Sequence, residues 1–202
     1  MVLAMAACGG GSARTEPAPA PVPLASLAGQ RVILLPAPSV DLSRDSAPPG
    51  TPVIDRTSTL AALDSAIERE LAARARTVTW VTVGQVARTS RRNASMAPDP
   101  YALSSESLRR PLRMEGSLVE PLASQLRSLS ALNDARLILY PVDLRLERSA
   151  GMGRATVRVA LLDSRLSRVM WIGDVRGESA DASMAPLLAS VASRLADLFA
   201  AQ

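Results

Sequence analysis

Four apolar residues in a row, Val32-Ile33-Leu34-Leu35, follow Gln30-Arg31 and stop at Pro36 and Pro38. A short continuous apolar run closed by prolines predicts a strand buried on both faces. Residues 40–55 are rich in Pro, Ser and Asp and read as a surface loop. Thr57 or Ser58 then caps a helix in which Leu60, Leu63, Ile67 and Leu71 recur at three- and four-residue spacing, with Asp64, Glu68 and Glu70 turned outward. Val78-Thr79-Trp80-Val81-Thr82-Val83 alternates and is β-branched. It predicts a second strand reached by a helical crossover, hence a parallel, right-handed βαβ unit.

From Gly84 to Arg113 the periodicity weakens, with short helices expected near Val86 and Leu108 and a break at Pro98-Asp99-Pro100. A third helix opens with Pro121 and puts Leu122, Leu126 and Leu129 on one face. Three strands follow. Arg136–Leu146 contains Pro141, which calls for a bulge or an edge position. Ser149-Ala150-Gly151-Met152-Gly153 makes a hairpin turn, and Ala155–Asp163 and Arg168–Gly177 alternate on either side of a Ser164–Ser167 turn. A last helix, about Ser183 to Ala200, lines up Met184, Leu187, Leu188, Val191, Leu195 and Leu198. The predicted fold is α/β (α+β): a mixed sheet of about five strands, with a parallel βαβ start and an antiparallel three-stranded meander at the end, and helices packed on it. No repeat and no apolar run near 18 residues is present.

Composition narrows the chemistry. Only five residues are aromatic, so the core is built from Leu, Val, Ile and Ala, with Trp80 and Trp171 expected as large core anchors. There is no histidine and no lysine, so all 23 basic residues are arginine and the net charge is +4. Without histidine the commonest general base, the Ser-His-Asp and Cys-His arrangements and the commonest zinc ligand are unavailable. Without lysine a Ser-Lys pair is unavailable too. The single cysteine cannot form an internal disulfide.

That cysteine is eighth, after Val2-Leu3-Ala4-Met5-Ala6-Ala7 and before Gly9-Gly10-Gly11-Ser12. Apolar then small residues are how a signal sequence ends before its cleavage site. Met5-Ala6-Ala7-Cys8 resembles a bacterial lipobox, which implies diacylglyceryl transfer to the Cys8 thiol, cleavage before it and acylation of the new amino terminus. Several acyl chains hold a protein on a bilayer, whereas one binds only marginally. The apolar run is about half a working signal core and no basic residue precedes it, so Met1 is expected to be an internal methionine of a longer signal. Residues 9–29 have the composition of a Gly/Pro/Ala-rich tether, and 30–202 form a single domain. Gly9 after the cysteine resembles the sorting pattern for the outer membrane, with the domain facing the periplasm.

Three stretches carry a family resemblance: RVILLP, ARLILYPVDLRL and VRVALLDSRLSRVMWIGDVRG. Their order resembles the periplasmic domains of the curli-secretion lipoprotein, the lipoprotein activators of penicillin-binding proteins and the amino-terminal domain of the Tol-system propeller protein. The resemblance covers 30–202, lacks the Thr-Gly of the family hairpin and has no counterpart for 84–118. It implies an envelope-accessory role. Paired amphipathic strands of the kind a curli-type pore inserts into a membrane are not present, so no pore is expected.

The remaining candidates are sparse. Gly151-x-Gly153 joins two strands and lacks a third glycine, which makes it a hairpin turn and not a phosphate loop. Asp41, Asp45 and Asp55 are too widely spaced for a calcium loop, so no metal and no cofactor is expected. Glu115, Glu120, Asp143 and Glu147 are the carboxylates open to a two-carboxylate glycosidase reading, with nothing to fix their separation. Arg88, Arg91, Arg92 and Arg109, Arg110, Arg113 form two basic clusters with Tyr101 the only aromatic between them, which favours an anionic envelope polymer or an envelope protein over nucleic acid. Three readings stay open: a non-enzymatic lipid-anchored binding module, a carboxylate-dependent glycan hydrolase at the same membrane, and a soluble domain with an incidental cysteine. A concave pocket with two facing carboxylates, one of raised pKa, separates the second from the first.

Overall fold

The computed structural model describes residues 24–41, 55–109, 116–149, 151–181 and 183–199. Cys8, the tether up to residue 23, Asp45, Arg110, Arg113 and Glu115 lie outside the described residues. The described strands are β1 (Arg31–Leu34), β2 (Val40–Asp41), β3 (Thr79–Val81), β4 (Leu137–Ser149), β5 (Met152–Asp163), β6 (Arg168–Arg176) and β7 (Ala180–Asp181). The described helices are α1 (Arg56–Arg74), α2 (Val83–Arg92), α3 (Glu106–Arg109), α4 (Leu122–Asn133) and α5 (Met184–Asp197). The strands form one mixed sheet with the path β3-β1-β4-β5-β6, β2 adding to β4 and β7 to β5. β1 runs parallel to β3 and β4, and β4, β5 and β6 form the antiparallel meander. The predicted α/β class and the βαβ start are the observed ones.

Pro36 and Pro38 do more than end β1. Leu35 still donates to the Leu139 carbonyl, the chain leaves the ladder over the Pro-Ala-Pro step, and β2 rejoins β4 at Val40, with Leu144 N–H donating to the Ser39 carbonyl. The expected loop thus contains a short strand, because β4 extends far enough to pair it. β4 is irregular at the same level, where its register with β5 shifts between Pro141 and Asp143. The bulge exchanges the faces of the strand. Leu137 and Leu139 before it, and Leu144 and Leu146 after it, all point to one core, while Ile138, Tyr140 and Val142 point to the other.

Two apolar cores result, one on each face. The first holds α1 and α5 through Leu63, Ile67, Leu71, Leu188, Val191 and Leu195. The second holds α2, α3 and α4 through Val86, Leu108, Leu122, Leu126 and Leu129. Trp80 and Trp171 pack against the first core from its margin and are only half-buried. Trp80 is half-buried, donates its ring N–H to the Ala75 carbonyl at 3.3 Å and meets Phe199 edge-on at 5.2 Å. Trp171 folds flat across Gly173, where a Cβ would sit 2.5 Å from its ring. Tyr140 is the aromatic buried completely, because β4 is the central strand and is covered on both faces. Neither Thr57 nor Ser58 caps α1. Asp55 does, accepting both of their amides, since a carboxylate one position before the first helical residue reaches two orphan N–H groups at once. No described helix is long and apolar enough to cross a membrane.

Candidate functional site: two clefts of opposite sign

Asp64 is the main departure from the helix pattern. Expected outward, it is about nine-tenths buried, on the flank of α1 that faces the Pro-Ala-Pro step. The reason is a single orphaned donor. Pro36 and Pro38 have no N–H, and Ala37, between them and outside the ladder, has one, which donates to Asp64 Oδ1 at 2.9 Å. Burial pushes the Asp64 carboxyl up to about 7; the Ala37 amide works against that rise and the neighbouring Glu68 adds to it. Glu68 is not turned outward either. One turn on from Asp64 and half-buried, it accepts the Val83 amide at 2.7 Å, where its charge meets the amino end of α2. That helix also carries a reciprocal capping box between Thr82 and Gln85. Glu70 is half-buried and sits 3.8 Å from Arg69.

Both carboxylates line a cleft of about 560 Å³ at the carboxyl ends of β1 and β3, walled by Pro38, Leu60, Val83 and Tyr101. Among the described residues each accepts one backbone amide through one oxygen and has no other hydrogen bond. Tyr101 is 55% exposed, and burial raises its hydroxyl pKa, with the Asp64 charge also raising it and Arg91 lowering it. The Arg88 guanidinium lies over Gly84, which lines the same cleft.

The candidate arginines that the structure describes lie on two helices. Arg88, Arg91 and Arg92 are exposed on α2. Arg109, on α3, is tied to Ser105 at 3.4 Å and to Glu106 at 3.5 Å. Of the candidate carboxylates, Glu120 binds Arg127 at 2.8 Å on the surface, and Asp143 accepts Ser39 Oγ at 2.9 Å and lies 3.8 Å from Arg145. Asp143 belongs to a polar patch on β4 to β6, where Arg145 meets Asp174 at 2.6 Å and Arg158 donates to the Leu108 carbonyl at 3.0 Å. Among the described residues no cluster of three or more candidate metal ligands occurs.

The second cleft, about 600 Å³, lies at the other end of the parallel strands. Gln30 and Arg31 begin β1, Arg136 precedes β4, Ser164 and Arg165 form the β5–β6 turn, and Arg127 and Ser130 come from α4. The sequence clusters do not point here, because these arginines are spread from position 31 to position 165 and are gathered only by the tertiary fold. Arg136 grips Asp163 with two nitrogens, one at 2.9 Å. Asp163 is fully buried, which by itself raises its pKa; the Arg136 hydrogen bonds and the Leu166 amide outweigh that and hold it below the usual carboxylate range. Its partner Arg136 is raised in turn, first by that hydrogen bond and then by the charge.

No protein-family model and no curated protein matches the chain. Solved structures do. The LpoB C-terminal domain from Salmonella enterica is similar at 13% identity and TM-score 0.38, over 80% of this chain and 96% of that one. That from Escherichia coli is similar at 10% identity and TM-score 0.41, over 75% and 84%. A lipoprotein from Neisseria meningitidis is similar at 13% identity and TM-score 0.44, over 82% and 94%. LpoB is a penicillin-binding-protein activator lipoprotein, so the group named by the sequence resemblance is among the structures matched.

Proposed function

We propose that the chain is a bacterial envelope lipoprotein, held to the outer membrane through Cys8 and facing the periplasm, whose folded domain is a non-enzymatic binding module. The observation that carries this reading is one of order: Met5-Ala6-Ala7-Cys8, then glycines, then alternating Ala-Pro, then a folded domain whose core already takes in Leu24 and Leu27, ahead of the expected boundary at residue 30. The cleft at the carboxyl ends of β1 and β3 is the recognition site of the module. Two carboxylates beneath apolar walls, with an exposed tyrosine at the rim, suit a cationic side chain or amine on an envelope protein or polymer. Arg88, Arg91 and Arg92 beside it would take anionic groups of the same partner.

The glycan-hydrolase reading gains one specific observation, the raised pKa of Asp64 next to Glu68 in a cleft. Geometry argues against it. Residues i and i+4 of one helix stand side by side and do not flank a bond from opposite faces. Each also has an oxygen committed to a backbone amide of the fold. Glycan release by the purified protein that disappears in Asp64→Asn would overturn the non-enzymatic assignment, and no release is expected.

Mass spectrometry of the mature protein from native membranes tests the anchor. The expected result is an amino terminus at Cys8 carrying added acyl mass, with Cys8→Ser shifting the protein to the soluble fraction. An unmodified thiol preceded by intact Met1 in the soluble fraction would falsify it and leave the soluble-domain reading.

A further inference from the structure

We infer that the cleft at the amino ends of β1 and β4 is a second binding site, which takes the phosphate group of an anionic phospholipid headgroup. Four arginines line it, Arg31, Arg127, Arg136 and Arg165, against one carboxylate, Asp134. Three of the four are fixed by part of their fork. Arg31 Nε donates to the Asn133 carbonyl at 3.2 Å, Arg127 donates to Ser167 Oγ at 2.7 Å and to Glu120, and Arg136 is clamped on buried Asp163. Ser164 Oγ bonds the Arg136 carbonyl at 2.8 Å and the Ser130 hydroxyl at 2.6 Å, which secures the turn that carries Arg165 to the end of α4. A guanidinium held at one side keeps its other N–H groups for an incoming anion, with little side-chain freedom left to lose. Among the described residues neither Arg31 nor Arg165 has a carboxylate partner, and both are exposed.

Among the described residues no aromatic lines the cleft, so a base has nothing to stack on, and its apolar side chains, Ala131 and Ala135, offer little hydrophobic surface to the body of a ligand. A compact anionic group on a larger surface fits better. The end of the domain at which the cleft opens supplies the rest. The Leu24 amide donates to the Leu198 carbonyl just beyond α5, and six residues later Gln30 lines the cleft, so Leu24, the first described residue, lies at this end. The choice of a lipid over another phosphate source rests on the anchoring reading, under which this end faces the bilayer. The acidic cleft then opens at the opposite end, toward the periplasm.

The test uses full-length Cys8→Ser protein, which has no acyl chains to bind with, and sedimentation with vesicles of phosphatidylglycerol and phosphatidylcholine or of phosphatidylcholine alone. Binding to the anionic vesicles only is expected, weakening as salt rises. Arg165→Gln should reduce it about fivefold, and Arg31→Gln with Arg165→Gln about 25-fold, at about one factor of five per basic residue at an anionic surface. Arg69→Gln with Arg154→Gln and Arg176→Gln, exposed arginines outside both clefts, removes more charge and should leave it within about twofold. Equal loss from the two sets of variants overturns the site, since binding would then follow net charge alone. Shifts of the Arg31 and Arg165 side-chain resonances with inorganic phosphate, without vesicle binding, overturn the headgroup and leave a soluble-phosphate site. The vesicle result does not depend on whether Cys8 is acylated in cells, so its failure is distinct from failure of the anchor. Arg165 lies in an exposed turn, and an unchanged circular dichroism melt of its variant separates loss of binding from loss of fold.

Discussion

The two ends of the sheet use charge in opposite ways. At the carboxyl ends of β1 and β3, two carboxylates are held by backbone amides alone, in a site dry enough to push one of them up to about 7. At the amino ends of β1 and β4, three of four arginines are held, by carboxylates, a hydroxyl and a carbonyl, and the same kind of group, Asp163, is pulled below its usual range. Both aspartates are buried and both face an orphaned amide. The difference is the guanidinium: without one, burial decides the protonation state; with one, the pair does.

The largest expected effect sharpens that contrast. The folded value of Asp64 lies above that of an unfolded aspartate, so its contribution is complete below about pH 4 and is lost as the pH rises through about 7. The loss amounts to at most about 4 kcal/mol, at about 1.4 kcal/mol per unit. Asp64→Asn, whose side-chain oxygen still accepts the Ala37 amide, should unfold at a higher urea concentration than the wild type at pH 8 and at a similar one at pH 4. Equal midpoints at both pH values would break the comparison.

Asp163→Ala comes next, with the opposite sign. Its lowered pKa means stability that is present above the ordinary aspartate range and disappears as the pH falls through the folded value. Removing the side chain unpairs Arg136 and the Leu166 amide, at a cost of about 2 kcal/mol at pH 7 that shrinks toward acid, measured by urea unfolding across the same pH range. Glu68→Ala takes the acceptor from the first amide of α2 and should cost about 1 kcal/mol, visible as faster amide exchange in the first turn of that helix. Smallest is the triple change of Arg88, Arg91 and Arg92 to Gln, expected within about 0.5 kcal/mol by thermal unfolding, because these side chains are already solvated.

Much of this was legible from residue order. Pro36 and Pro38 announced the end of β1, Pro141 announced the bulge in β4, and Leu122, Leu126 and Leu129 announced the face of α4. Asp64 was misplaced because a helical stripe read in isolation has one core face, whereas α1 also packs against the break between β1 and β2. A signal was present all the same: Pro-Ala-Pro at a strand end leaves one N–H that must find an acceptor. Trp80 and Trp171 reach only the margin of the core, because size alone does not set depth. The short edge strand β3 gives a tryptophan only one covered side, and Gly173 gives the other a flat place on the surface.

Local pattern by itself determined the longer strands and helices, their order and the small residues that lead to Cys8, because hydrophobic period, proline and turn chemistry act over a few neighbouring positions, whereas the two-residue strands β2 and β7 exist only through their partners β4 and β5. Only the tertiary structure decided which charges meet. Arg31, Arg127, Arg136 and Arg165 come together because β1 and β4 begin at the same end of one sheet, and Asp64 and Glu68 face a shared cleft because a proline break and a helix start lie side by side. Coulomb forces and desolvation depend on distance and burial in space, and neither is written in the spacing of a sequence.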